Sequence, residues 1–349
     1  MNTLILKIEE GQEYDISKAA KLLKLGGLVA FPTETVYGLG ADGFNKEASR
    51  KIYAAKGRPS DNPLILHIAD WEQLDKIAIN ISKEADKVMR AFWPGPLTVI
   101  LNKKKEVPYE TTGGLDTVAV RMPSHPVARR LLSESQVCVA APSANTSGRP
   151  SPTTAKYVIE DMNGKIDMII DGGSVGLGLE STIVDFTSDV PTVLRPGFIT
   201  LEMLRELIPN VVLDKALTAQ GRVENIKAKA PGMKYKHYAP KADLCLIKGE
   251  SSQVIKKINE LAKEKEEEGY RVGIIGTEEN IPEYTFGLIK NIGKRGEVNS
   301  IAANLYRVLR EFDDSDVQYI YSEAFEEEEL GQAITNRLKK AAGYQMIRV

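Results

Sequence analysis

The stretch that most constrains this chain runs from Gly26 to His67 and reads GGLVAFPTETVYGLGADGFNKEASRKIYAAKGRPSDNPLILH. Its opening apolar run, Leu28 to Phe31, predicts a short strand that Pro32 ends. Thr33, Glu34 and Thr35 follow as a polar lip just past that strand, where open α/β sheets place ligand groups. Gly38, Gly40 and Gly43 then let the backbone approach something closely. Asn45 is placed to cap a helix that carries Ala48, Ile52 and Ala55 on one face and stops at Gly57, ahead of Pro59. Its last turn delivers Lys56, and Arg58 follows, so two cations leave one helix end. Read alone, the pair serves equally well as solvated complements to the negative end of the helix dipole.

At 349 residues the chain exceeds what one core usually supports, so two domains are expected. A formal net charge of −2 argues against a protein that coats nucleic acid by bulk electrostatics, while leaving room for a local basic cleft. No apolar run reaches transmembrane length, and the one in MNTLILKIEEGQ is too short for a signal segment, so a cytoplasmic protein is expected. Cys138 and Cys245 each sit inside an apolar run and read as core residues rather than as a disulfide or a thiolate metal site. The histidines His67, His125 and His237 are far apart and outside any HExxH-like spacing, which supports neither zinc hydrolysis nor a serine–histidine triad.

In chain order, Asp15 to Gly26 reads as a helix with Ile16, Ala19, Ala20 and Leu23 inward, and Leu64 to Ile68 as a strand with His67 in its middle. A lone histidine there reads first as a packed core residue. Ser82 caps a helix carrying Ala85, Val88, Met89 and Phe92, the strand Leu97 to Leu101 follows, and Lys103 to Lys105 reads as a solvated turn. The strand Thr117 to Arg121 ends in a guanidinium suited to a carboxylate, although a rim salt bridge fits the pattern equally well. After the strand Val137 to Ala141, the loop PSANTSGRPSP offers hydroxyls, an amide and backbone N–H groups. Such a loop binds anions, or simply turns the chain. A glycine-rich loop from Gly172 to Gly178 ends in Glu180, Ser181 and Thr182, and VLRPG places Arg195 after a short strand. The expected fold class is α/β. Residues 1–213 form a mixed twisted sheet with helices, 214–240 a linker ending APGMKYKHYAP, and 241–349 a smaller Rossmann-like α/β domain. GIIGTEEN is not GxGxxG and is not read as a dinucleotide site, and the runs KEKEEE and EAFEEEE read as exposed helix faces.

The blocks PTETVYGLG, KGRPSDNPL, VAVRMP, APSANTSGRPS, ESTIVDF, LRPG and PGMKYKHYAP stand in the order found in the two-domain threonylcarbamoyl-AMP synthases of the YrdC-like family, and the chain resembles that family from Gly26 to Pro240. The smaller C-terminal domain resembles the family's second domain by size and pattern. The resemblance implies a nucleotidyltransferase that makes L-threonylcarbamoyl-AMP and pyrophosphate from L-threonine, bicarbonate and ATP, for threonylcarbamoyladenosine modification of transfer RNA. It implies that Lys56, Arg58, Asn62, Thr117, Ser143, Asn145, Ser151, Arg195 and Tyr235 hold ATP or the adenylate, with Lys56 and Arg58 catalytic. Thr35, His67, Arg121, Ala141 through its backbone and Ser181 would hold threonine.

Mg2+ would arrive on the ATP phosphates, since no carboxylate cage is visible. The Pro231 to Pro240 segment reads as a lid over the nucleotide, with Tyr235 as the contact and Tyr238 as the alternative. Downstream tRNA-modifying transferases are the expected partners, with no stable nucleic-acid complex and no membrane. Two other readings are a double-stranded RNA-binding module, which would bind RNA in a salt-dependent way without turning over ATP, and a sensor of amino acid or nucleotide that releases no pyrophosphate.

Overall fold

The structure, a computed structural model, describes residues 2–8, 15–218, 237–325 and 328–349. Most of the expected linker, Tyr235 included, lies outside them. The described residues divide into two compact units, the second taking in 148–150 and 177–179 together with the chain from 237 onward.

In the first unit twelve described strands form one mixed sheet. They are β1 (Leu4–Lys7), β2 (Val29–Phe31), β3 (Gly38–Asp42), β4 (Ile65–His67), β5 (Ala78–Ile79), β6 (Leu97–Lys103), β7 (Thr117–Arg121), β8 (Val139–Ala140), β9 (Met168–Asp171), β10 (Thr182–Asp185), β11 (Thr192–Arg195) and β12 (Val212–Leu213). The order across the sheet is β1-β9-β2-β3-β8-β4-β7-β6-β10-β11-β12, with β5 paired to β6. Strand alternation sends Val29 and Phe31 into a cluster with Ile16, Leu23 and Leu131, whereas Ala30 joins the larger core with Leu39, Ile52 and Leu66 on the other face. Helices cover both faces. Ser17–Lys24 buries Ala19, Ala20 and Leu23, and Lys83–Phe92, capped by the Ser82 hydroxyl, buries Ala85, Val88 and Met89.

Three expectations need correction here. Gly38 to Asp42 is a strand rather than an open glycine loop. A Cβ at Gly40 would sit 2.8 Å from both Phe31 Cε1 and Val139 Cγ1, so the close approach these glycines permit is to core side chains instead of a ligand. Lys103 is not in a solvated turn: it ends β6 with its stem buried, donates to the Val107 carbonyl at 2.9 Å and lies 3.9 Å from the Tyr109 ring centre. His67 is the last residue of β4 rather than its middle, which brings it to the strand end where ligand groups gather.

The second unit carries β13 (Asp243–Lys248), β14 (Val272–Gly276), β15 (Leu288–Asn291), β16 (Tyr319–Glu323) and β17 (Met346–Arg348), all parallel, in the order β15-β14-β16-β13-β17. Amphipathic helices Ser251–Glu267, Val298–Asp313 and Glu329–Ala341 connect them, which is the Rossmann-like order expected. One acidic run departs from the expected exposure at its first residue. Glu323, in EAFEEEE, is fully buried at the end of β16. It accepts from the Thr277 N–H and the Asn280 amide at 2.9 Å each, from the Tyr284 hydroxyl at 2.9 Å and from Arg295. Tyr238 is also buried in this unit, stacked on Tyr306 with ring centres 5.2 Å apart.

Candidate functional site

Strand β4 is the axis of the site. Its register with β7 pairs Ile65 with Ala119 and His67 with Arg121, and its register with β8 pairs Leu66 with Ala140. Before β4 the Leu64 N–H turns to the Thr111 carbonyl and Ser143 bridges Gly38 at the start of β3, whereas His67 and Arg121 stand together at the other end of β4. From Pro63 to His67 the chain advances four residues, about 13 Å of extended backbone.

At the Pro63 end, the helix Lys46–Lys56 is capped by the Asn45 side chain and closed by Gly57 in the left-handed conformation, as its sequence dictates. This termination aims Lys56 into the PSAN loop, where its ammonium donates to the Ser143 carbonyl at 2.5 Å and to the Asn145 carbonyl. The Ser147 N–H returns a bond to the Lys56 carbonyl at 2.8 Å. Arg58 donates to the Asn62 and Pro63 carbonyls at 3.3 and 3.1 Å. The Asn62 carbonyl oxygen Oδ1 is buried and accepts no hydrogen bond within the described residues, which leaves one acceptor for a ligand donor. Ser143 donates to Asn145 Oδ1 at 2.5 Å, so the two loop side chains act as a unit. The neighbouring carbonyls make Lys56 a loop anchor as well as a cation.

At the other end, Arg121 Nη1 donates to Thr35 Oγ1 at 2.9 Å, and the Thr33 and Thr35 hydroxyls are 2.9 Å apart. Thr98 lies across from Arg121 in the β6–β7 register, and its hydroxyl meets the Ser181 hydroxyl at 2.7 Å. Arg195 donates to both the carbonyl and the hydroxyl of Ser181, at 3.0 and 3.1 Å. Arg195, expected with the nucleotide, therefore holds a residue expected with threonine, so the two sets join there. Ser151 donates to Glu180 at 2.6 Å, next to Ser181. The Ala141 N–H is committed to the Ile65 carbonyl at 2.9 Å, which leaves its carbonyl rather than its N–H as the backbone group a ligand would meet. Tyr235 lies outside the described residues; the other thirteen expected residues line this one strip of sheet and its loops.

Sequence reasoning named Glu34 and Glu180 without giving either a role in the site, and it did not single out Thr98. Glu34 and Glu180 stood in stretches already marked as polar loops, but burial is what gives their charges consequence. Thr98, inside an apolar strand, carried no signal beyond being polar in a buried run.

His67 is buried with Nδ1 3.1 Å from the Ile65 carbonyl and its ring edge-on to Phe31. Burial first, and the Arg121 charge second, push its pKa down from 6.5 to about 3, so it is a neutral imidazole at pH 7. The unfolded chain protonates this histidine below its ordinary value and the folded chain does not. Acid therefore favours unfolding across the window from 6.5 down to about 3. Unfolding free energies from urea denaturation through that window should fall with a component of about 1.4 kcal/mol per pH unit that is missing in His67→Gln. An unchanged pH slope in the variant would show that His67 titrates normally.

A family model described as "Telomere recombination" matches residues 21–197, and one described as "Threonylcarbamoyl-AMP synthase, C-terminal domain" matches residues 199–343. The chain is 47% identical to the threonylcarbamoyl-AMP synthase of Pyrococcus abyssi over 348 residues, covering 99% of this chain and 100% of the relative. It is also 47% identical to that of Bacillus subtilis over 334 residues, 95% and 94% of the two chains. The crystal structure of P. abyssi Sua5 complexed with L-threonine superposes with a TM-score of 0.93 at 46% identity, covering 99% of this chain and 100% of that one.

Proposed function

Because the chain belongs to the threonylcarbamoyl-AMP synthase family, we propose that it joins L-threonine, bicarbonate and ATP into L-threonylcarbamoyl-AMP with release of pyrophosphate, supplying the activated group for threonylcarbamoyladenosine in transfer RNA. The observation that carries this reading is the two-ended strip along β4. Cations and amide groups gather at one end, and a guanidinium with hydroxyls at the other, with about 13 Å of extended backbone from Pro63 to His67. In this reading threonine lies at the Arg121 end, with its carboxylate on the guanidinium and its hydroxyl among Thr35, His67 and Ser181. The nucleotide lies at the Lys56 end with Arg58, Asn62, Thr117, Ser143 and Asn145, and Ser151 and Arg195 stand beside Glu180 and Ser181, where the two ligands meet.

Bicarbonate would convert the amine into a carbamate with loss of water. A carbamate oxygen would then attack the α-phosphorus and expel pyrophosphate. Lys56, Arg58 and Arg195 would oppose the charge that develops on the phosphate oxygens, and the neutral His67 would orient the substrate instead of titrating. The donors at the Lys56 end are cations and amides, which suit phosphate oxygens. Among the described residues no group of three or more His, Cys, Asp or Glu could hold a metal ion. Mg2+ would travel on the triphosphate and supply further charge neutralisation there. Transfer of the product to a tRNA-modifying enzyme and a cytoplasmic location belong to the same proposal. Among the described residues no helix is long and apolar enough to cross a membrane.

Amino-acid selectivity tests the reading. A missing methyl is worth about 1 to 3 kcal/mol, whereas a site that hydrogen-bonds a hydroxyl rejects the analogue lacking it by a factor of about 10⁴ to 10⁵. Serine should release pyrophosphate weakly and valine hardly at all. Valine turning over as well as serine would show that the hydroxyl is not read, and ligand binding with no pyrophosphate from any amino acid would identify a sensor instead.

A further inference from the structure

Arg121 and Glu34 form a buried ion pair at the end of the strip assigned to the amino acid. The guanidinium is fixed in place by Thr35 Oγ1 at 2.9 Å and the Gly95 carbonyl at 3.3 Å, and its Nη2 stands 2.7 Å from Glu34 Oε1. That approach is close in distance but off the N–H line. Nη2 and both Glu34 oxygens each expose less than 1 Å² and make no well-aligned hydrogen bond, the carboxylate being held by the Arg121 charge and the nearby N–H groups of Glu34 and Ser124. The pair is therefore charge-matched but poorly aligned, and a guanidinium and a carboxylate each keep hydrogen-bonding sites beyond this one contact. The arrangement has a spare donor for a carboxylate beside spare acceptors for an ammonium.

The charge balance points the same way. Arg121 and Glu34 sum to zero, and Glu34 stays ionised: burial alone would raise its pKa, but Arg121 and the nearby backbone N–H groups of Glu34 and Ser124 outweigh burial and leave it lowered. The two histidines that feel the Glu34 charge, His67 and His125, are both held neutral at pH 7 chiefly by burial. A ligand bringing only a carboxylate would leave one negative charge uncompensated in a desolvated site. A zwitterion adds one charge of each sign and leaves none.

We propose that Glu34 is a substrate-binding residue that receives the α-ammonium of the amino acid while Arg121 receives its α-carboxylate, so that the pair selects a zwitterion over the corresponding hydroxy acid. This rests on the reading of the Arg121 end as the threonine site. Glu34 is the charged member of the PTET lip, and the flanking threonines define its place. Thr35 holds the Arg121 guanidinium, while Thr33 ties Thr35 back to the turn by donating to the Val36 carbonyl at 2.6 Å. The opposite role, a carboxylate that merely occupies Arg121 until substrate displaces it, makes a prediction of opposite sign, because removing its charge would then strengthen binding.

Calorimetric titration of the full chain with L-threonine and with 3-hydroxybutanoate, the same skeleton without the amine, separates these roles. Wild type should prefer threonine by at least about 30-fold, the scale set by leaving one member of a buried charge pair unmatched. In Glu34→Gln, which keeps the shape, threonine affinity should fall by a similar factor, hydroxybutanoate affinity should hold or rise, and the preference should collapse. Threonine binding to Glu34→Gln as tightly as to wild type, or more tightly, overturns the proposal. Should the glutamine variant not fold, equal affinity of wild type for the two ligands overturns it, and a retained preference in Glu34→Asp supports it. Wild type that binds no threonine removes the threonine reading itself. Wild type that binds threonine with an undiminished preference in Glu34→Gln removes the role of Glu34 alone.

Discussion

Arg121→Ala is expected to abolish threonine-dependent pyrophosphate release and to destabilise the fold in the same step. Arg121 and Glu34 are both desolvated, with side-chain exposures of 5% and 14%, so deleting the guanidinium strands a carboxylate. Breaking a buried pair from one side costs about 3 to 5 kcal/mol of stability, and truncating a buried, hydrogen-bonded charge costs about 2 to 5 kcal/mol or more in ligand affinity. The two effects separate in a cycle. Removing Glu34 as well, in Arg121→Ala/Glu34→Ala, should recover much of the lost stability, because no unmatched charge remains, while activity stays lost. Urea denaturation of the four proteins measures the first, and pyrophosphate release at saturating ATP measures the second. Normal threonine affinity in Arg121→Ala would remove the guanidinium from the binding site.

Lys56→Ala should lower the turnover number by about 10² to 10³, the loss expected when one preorganised electrostatic donor to a developing oxyanion is removed. The same change strands the Ser143 and Asn145 carbonyls that the ammonium now joins, so some stability will go with it, about 1 to 3 kcal/mol for a buried group left unmatched. Activity per folded molecule decides between the roles. If Lys56 only anchors the PSAN loop, turnover measured well below the variant's melting temperature should return close to wild type. If the ammonium faces phosphate, turnover stays low at every temperature, and the loss appears in kcat more than in KM for threonine.

Much of the candidate site is legible in the sequence, and the reason is local. Asn45 and Gly57 set the start and stop of one helix, and that stop fixes where Lys56 and Arg58 leave it. Arg121 could be placed at a strand end because TVAVR is a buried strand whose last residue must face a neighbour or a ligand. What escaped were properties that arise between strands distant in sequence. Gly40 read only as a place of close backbone approach, and what approaches it, Phe31 and Val139, is set by β2 and β8 lying beside it. Glu323 sat in a run of acidic residues that predicted solvent, yet it ends a parallel strand where Thr277, Asn280 and Tyr284 from another βα connection converge on it. Glu34 looked like one more polar residue in a turn. Its importance came with burial against Arg121, 87 residues further along, and no local periodicity carries that information.

The most direct test is pyrophosphate release with each substrate left out in turn. ATP, bicarbonate and L-threonine together should release pyrophosphate in step with formation of an adenylate that carries the carbon of labelled bicarbonate, and omission of any one should stop both. Pyrophosphate release that continues without threonine or without bicarbonate, or threonine and ATP that bind with no release at all, would contradict the assignment of the β4 strip as a threonylcarbamoyl-AMP synthase site.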